Sequence, residues 1–434
     1  MRAARPLPPT GRLMLGASAL TVLGALPPFL VGAQAVLITR DLGFGAAGVG
    51  LVVSVFFAAA ALLTIAASGR FERMSSRTGR VLAGALVALG CLSVAVAVRD
   101  LVGLAVAMLV LGAANATCQG TSNRTVAALL PPHRRGLGFG IKQAAVPTAI
   151  MLGGLAVPTT TALLGWRSTF AITGTVGVLV MVTALLGGRR GARVPAPQTA
   201  RRAPGPDDRA PWGPLVLCAV AVGAASMACN FVGAFLATWA HEVGLSVEQA
   251  GWLMAGGSAT SVVVRVLTGA RADGRFGGNL PVVAAMMLGG AAAVTGLGAL
   301  PFPSAVVILG VVAFAAGWSW PGLMLYAVAR LGRDAPTQAT SVVQAGTFLG
   351  GALGPVLLGL VVGAAGFRWA WSVAGALFLL SAILILLARV GFGQDLLRRP
   401  PASVFHYGGG RSRPRRTTGG AAGGAGTATL RDGG

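Results

Sequence analysis

Apolar residues in this chain come in long, nearly unbroken blocks divided by short polar segments. The blocks fall at about 13–39, 46–68, 81–98, 101–123, 137–164, 169–188, 214–240, 251–270, 280–300, 303–329, 338–365 and 369–389. A helix rises about 1.5 Å per residue, so about 20 apolar residues cross the roughly 30 Å hydrocarbon layer of a bilayer. Each block therefore reads as a membrane span, and the predicted fold is an all-α integral membrane protein of twelve transmembrane helices. Gly and Pro recur inside the blocks, which membrane helices tolerate because neighbouring helices satisfy the freed backbone groups.

The polar segments divide the chain. Residues 1–12 form a short N-terminal segment, 13–188 a first six-span half and 214–389 a second. Between the halves lies RRGARVPAPQTARRAPGPDDRAPWG (189–213), whose Pro, Gly and Arg content marks a flexible linker. The tail at 390–434 is Gly- and Arg-rich and is expected to be disordered. The N-terminus is basic and then apolar, and Ala33-Gln34-Ala35 resembles a cleavage site. The run from Leu13 to Thr39 is too long for a signal peptide, so it reads as the first span.

Composition supports this picture. Only 10% of residues are charged against 55% hydrophobic, where a soluble domain carries about a quarter charged. The net charge of +23 raises nucleic acid as a partner, but a nucleic-acid binder gathers its basic residues on one soluble face. Here the arginines sit between apolar blocks and alternate. Twenty-seven of the basic residues lie in the N-terminal segment and every second loop after it, or in the tail. Only Arg40, Arg99, Arg167 and Arg368 lie in the other loops. By the positive-inside rule, both termini are expected in the cytoplasm. A chain with one lysine (Lys142) among its basic residues suggests a GC-rich bacterial genome, and hence the bacterial cytoplasmic membrane. Cys91, Cys118, Cys218 and Cys229 all fall inside apolar blocks and read as small core residues rather than disulfide partners.

The halves repeat at an offset of 201 residues. Gln143 maps to Gln344, Gly153 to Gly354, Gly165 to Gly366, Arg167 to Arg368, and Ser68 and Glu72 to Gly269 and Asp273. Two duplicated six-span halves imply a pseudo-two-fold axis with a substrate site between them.

The loop after the second block reads Ser68-Gly-Arg-Phe-Glu72-Arg73-Met-Ser75-Ser-Arg77, and the loop after the eighth reads Gly269-Ala-Arg-Ala-Asp273-Gly-Arg275. These loops resemble the Gly-x-x-x-Asp-Arg-x-Gly-Arg-Arg/Lys signature of the major facilitator superfamily. In the first copy Ser replaces Gly and Glu replaces Asp; in the second the Arg is displaced by one. The resemblance covers about residues 12–390. It implies alternating access by rocking of the halves, with Glu72, Arg73, Arg77, Gly269, Asp273 and Arg275 forming a cytoplasmic gate and Arg124 pairing with Glu72. An acid at a helix end that pairs in only one of two states biases their equilibrium. The segment Leu137–Pro158 is also similar to cyanate-type and other small-anion members. The Gly-Pro antiporter signature of span five is missing, since Pro147 follows Val146.

Polar side chains inside spans usually face a bundle interior or cavity. Asn115, Gln119 and Ser122 or Asn123 share one helical face, as do Ser226 and Asn230, and Ser258, Ser261 and Arg265. Together with Gln34, Lys142, Gln143, Gln344 and an apolar wall at Trp320, they outline a candidate substrate cavity. Interhelical hydrogen bonding, worth about 0.6 kcal/mol on average, is the competing role for each amide. Lys142, Arg124 and Arg265 have no basic counterpart in the repeat, so something asymmetric requires them. An anionic substrate is one reason and snorkelling to the interface the other. No acid or histidine lies mid-span, so a coupling proton would use a mouth residue such as Asp41, Glu72 or Asp273, and uniport or exchange stays open.

An embedded enzyme would need a nucleophile with its base, or a metal cluster, at membrane depth. The blocks hold neither, and no cofactor or metal is implied. The expected function is secondary transport of a small organic solute, an anion being one candidate class, by a monomer in the lipid bilayer. Lipophilic-drug efflux and a non-transporting sensor on the same scaffold are the alternatives.

Overall fold

The computed structural model describes residues 9–67, 74–129, 142–187, 210–272, 278–332 and 336–399. Segment 1–8, most of the linker (188–209) and residues 400–434 of the tail lie outside the described residues. Among the described residues, twelve helices are long and apolar enough to cross a membrane. Spans 1–6 are Leu13–Ala33, Ala46–Ala66, Ser76–Val96, Leu101–Thr125, Ala145–Leu164 and Trp166–Leu186. Spans 7–12 are Trp212–Glu242, Val247–Ala270, Leu280–Ala299, Pro303–Leu331, Gln338–Ala365 and Phe367–Arg398. No strand occurs among the described residues.

Most boundaries shift by a few residues from the hydropathy blocks; span 5 starts at Ala145, which leaves Lys142 and Gln143 just before it, and three other differences have a local reason. The block at 13–39 breaks at Gln34 (φ −108°, ψ 13°), and a short second helix, Ala35–Leu42, follows. Span 6 begins at Trp166, directly after Gly165, whose φ of +78° only glycine adopts freely. Span 12 runs on to Arg398, so the expected tail boundary at 390 falls inside a helix. Apolar residues continue past Arg389: Phe392 is buried, and Gly391 lies close against Pro214 at the start of span 7.

An even number of spans brings the chain's two ends to one face, termed the terminal face; the opposite face is termed distal. Span 1 packs on span 7, span 2 on span 11 and span 5 on span 8, joining the halves. Between helices in lipid, close approach of backbones replaces the hydrophobic drive, and small residues permit it. The tight cross-half contacts lie toward the distal ends of these spans. A methyl group on Gly32 would collide with the Gly233 carbonyl, and one on Gly50 with that of Pro355. One on Gly154 would lie 2.6 Å from Ala255 N, and one on Gly251 2.7 Å from Val157 Cβ. Ser54 Oγ accepts the Val356 N–H at 3.0 Å across the same seam. The halves are clamped together at the distal face.

A cluster braces the first half there. Asp41 accepts from the Trp166 indole at 3.1 Å and from the Arg167 guanidinium, which also donates to Val98 O at 3.1 Å. The Arg167 guanidinium beside Asp41 holds its carboxyl below the usual carboxylate range. The stabilisation is therefore complete above the ordinary Asp value of about 3.9 and is lost as pH falls through the lower folded value. The pair is substantially exposed, and such pairs contribute only about 0.2–1 kcal/mol. Asp41→Asn is expected to lower the melting temperature at pH 7 by at most about 2 °C, and the difference from native should shrink below about pH 4. A difference that grows on acidification would rule out this source of stability.

Candidate functional site

Helix breaks in two spans shape the region between the halves. In span 5 a π-helical turn runs from Val157 to Thr161, starting where Pro158 lacks the N–H of the regular ladder. In span 10 a π turn covers Ala313–Gly317, and the next helix begins at Trp320-Pro321. Pro321 has no N–H for the Gly317 carbonyl four residues earlier, and the Cys229 thiol donates to it at 3.1 Å. One residue further on, the Trp318 carbonyl accepts from Arg265.

Arg265, only 8% exposed, is the hub. Its Nε donates to Trp318 O at 3.2 Å, its Nη2 to the same oxygen, and its Nη1 crosses to the other half to reach Gln143 O at 2.6 Å. Beside that acceptor stands Lys142, 7% exposed, whose Nζ donates to Gln119 Oε1 at 2.7 Å and to Asn123 Oδ1. All these partners are neutral oxygens. A guanidinium has five N–H groups and an ammonium three, so two donors of Arg265 and one of Lys142 find no partner among the described residues. Arg265 thus reaches the backbone next to Lys142, and among the described residues both buried cations have amide and carbonyl partners only.

The other expected cavity residues divide. Asn115 is buried with Oδ1 unpartnered, one turn from Gln119 on the same face of span 4. Asn123 rather than Ser122 completes that face, because Ser122 donates to Ala17 O at 2.7 Å and accepts from Thr21 at 2.8 Å, against span 1. Trp320 is 2% exposed, with its indole beside the Cys229 thiol. Asn230 spends its amide N–H on Ser226 O at 2.9 Å within span 7. Gln143 contributes through its backbone carbonyl, and Gln344 is exposed. Gln34 stands apart: it is fully buried, donates to Thr169 Oγ1 at 3.0 Å and accepts from Thr161 Oγ1 at 2.7 Å. It ties the break after span 1 to spans 5 and 6.

Of the expected gate, Glu72, Arg73, Asp273 and Arg275 lie outside the described residues. Arg77 caps the end of span 6, donating to Ala184 O at 3.0 Å and Leu185 O at 2.6 Å, where the helix carbonyls lack partners. Arg124 donates to Met74 O, and Gly269 has open space around it. Sequence reasoning missed Trp318, which packs edge-on against Phe29 at 5.9 Å and keeps its indole N–H buried and unpartnered. It also missed the Arg40 and His241 contact at the distal mouth. Trp318 carried no polar or repeat signal that would have singled it out.

Twelve spans in two clamped six-span halves, with a buried polar centre between them, define a multi-pass membrane transporter. The Major Facilitator Superfamily model matches residues 13–222 and 215–418, so the chain belongs to that family. Among solved structures, it is similar to a bacterial homologue of the human lysosomal transporter Spinster in an inward-facing, unoccupied conformation. That match has a TM-score of 0.70 and 16% identity, covering 92% of this chain and 100% of that one. The inward-facing, occupied structure of such a homologue matches with a TM-score of 0.64 and 15% identity over the same shares. No curated protein sequence matches the chain.

Proposed function

We propose that this protein carries a small organic anion across a bacterial cytoplasmic membrane by alternating access, with its termini in the cytoplasm. The observation that carries the reading is that, among the described residues, Lys142 and Arg265 pair with neutral oxygens alone. A buried cation without a counter-charge is costly unless a ligand supplies one. Lys142 belongs to the first half and Arg265 to the second, so an anion held by both would be held between the moving bodies. The arginine distribution supports the orientation, and the lysine-poor composition supports the bacterial origin.

A ligand bound only by the folded protein raises its melting temperature with its affinity. Purified protein is expected to be stabilised by members of a panel of small carboxylates and other organic anions, and Lys142→Ala is expected to lose most of that response. Stabilisation by lipophilic cations alone, equal in the mutant, would replace this reading with drug efflux.

A further inference from the structure

Among the cross-half contacts at the distal face, two join residues that the repeat itself relates. The offset of 201 carries Gly32 onto Gly233 and Arg40 onto His241. Gly32 packs on Gly233, and Arg40 Nη2 lies 3.2 Å from His241 Nε2. Residues exchanged by a two-fold can touch only beside its axis. The pseudo-axis therefore leaves the bundle between Arg40 and His241, at the mouth of the distal closure. A bond there is stretched by any rocking of the halves that opens this face.

The chemistry of the pair dictates its protonation state. Guanidinium has donors and no acceptor, so His241 Nε2 must offer its lone pair. Nδ1 lies 3.0 Å from Leu245 O, a pure acceptor, so Nδ1 carries the ring proton. The contact exists only for the neutral ring in this one tautomer. The charged groups around the ring are Arg40 from the segment after span 1, Glu242 next to it on span 7, and Glu248 from the first turn of span 8. Asp41, beside Arg40, is already engaged by Arg167 and Trp166.

We propose that His241 Nε2 is a proton-binding site that operates the distal gate. A proton taken from the aqueous phase at that face forms an N–H bond at Nε2 and removes the acceptor of Arg40. Two cations then face each other, and the imidazolium turns toward the carboxylates of Glu242 and Glu248. The latch breaks and the distal face opens; loss of the proton to the same phase restores it. The proposal rests on the alternating-access reading but not on the identity of the substrate.

The test is the distance between spin labels at Val102→Cys and Phe302→Cys, both exposed, at the distal ends of spans 4 and 10. The Arg40–His241 contact is exposed, so on going from pH 8 to pH 5.5 the native background is expected to show about a two- to fivefold rise in the ratio of long to short distances. His241→Gln keeps an oxygen for Arg40 and cannot titrate, so it should stay short at both values. His241→Ala should show the long population at both. A native distribution indifferent to pH, or a Gln variant that shifts like native, overturns the latch. Gly32→Leu, which forces this face apart whatever the pH, separates the two readings. If that variant opens and the native protein ignores pH, the latch is wrong and alternation stands. If neither moves, both fall.

Discussion

Arg265→Ala is expected to weaken binding of whichever anion stabilises the native protein by about 10- to 100-fold, read as the concentration that gives half-maximal thermal stabilisation. A hydrogen bond to a charged group contributes about 1.5–3 kcal/mol, and each 1.4 kcal/mol is a factor of ten in affinity. Among the described residues the guanidinium has two uncommitted N–H groups, and the expected loss corresponds to one such bond. The substitution also strips Trp318 O and Gln143 O of their donors, and the second of these lies in the other half. A loss of basal stability should therefore accompany the loss of affinity. Arg265→Lys separates the two roles. It keeps the charge but, as a compact ammonium, cannot match the fork that reaches Trp318 O and Gln143 O together. The Lys variant is expected to recover part of the affinity and little of the basal stability. Native anion affinity in Arg265→Ala would reduce Arg265 to a tie between spans 8, 10 and 5.

The twelve spans were readable because hydrocarbon allows few alternatives: block length alone decides whether a helix can cross. The buried cations were also readable, since Lys142 and Arg265 break the repeat and basic side chains in or beside apolar blocks are rare in this chain. Their partners were not. Arg265 bonds to backbone carbonyls, and a carbonyl at a helix irregularity has no residue type to betray it. Gln34 shows the opposite case. Its amide looked like a cavity residue, but a glutamine at a helix break finds local hydroxyls, here Thr161 and Thr169, and is used up by them. The distal latch lay in the sequence all along as two positions 201 apart, one Arg and one His. The repeat was visible through identical or chemically similar residues, whereas an Arg opposite a His gave little alignment signal.

Gly32→Leu is expected to shift the protein strongly away from the distal-closed arrangement. The position lies beside the pseudo-axis, where spans 1 and 7 approach backbone to backbone. A Cβ there would collide with Gly233 O and come within 2.9 Å of Ala234 Cα. Neither obstacle is a side chain that can rotate away, so the helices themselves must part. Overpacking a tight interface costs about 1–3 kcal/mol. That corresponds to about 5- to 150-fold in the ratio of closed to open, since 1.4 kcal/mol is tenfold. The cost falls on the closed state alone, because the open state separates these backbones, and so it acts as a bias between states rather than as general destabilisation. The measurement is labelling of a cysteine introduced on the cavity side of span 1 or span 7 by a reagent confined to the distal side. Labelling should accelerate in Gly32→Leu while the melting temperature changes little. Anion transport should fall, because a carrier that cannot close one face cannot complete its cycle. Gly16→Leu is the matched control: it lies on the same helix near the terminal face, with no atom within 4 Å of an added Cβ. It should leave both labelling and transport near native. Equal effects at the two glycines would mean that leucine disturbs span 1 in general and that the distal seam is no gate.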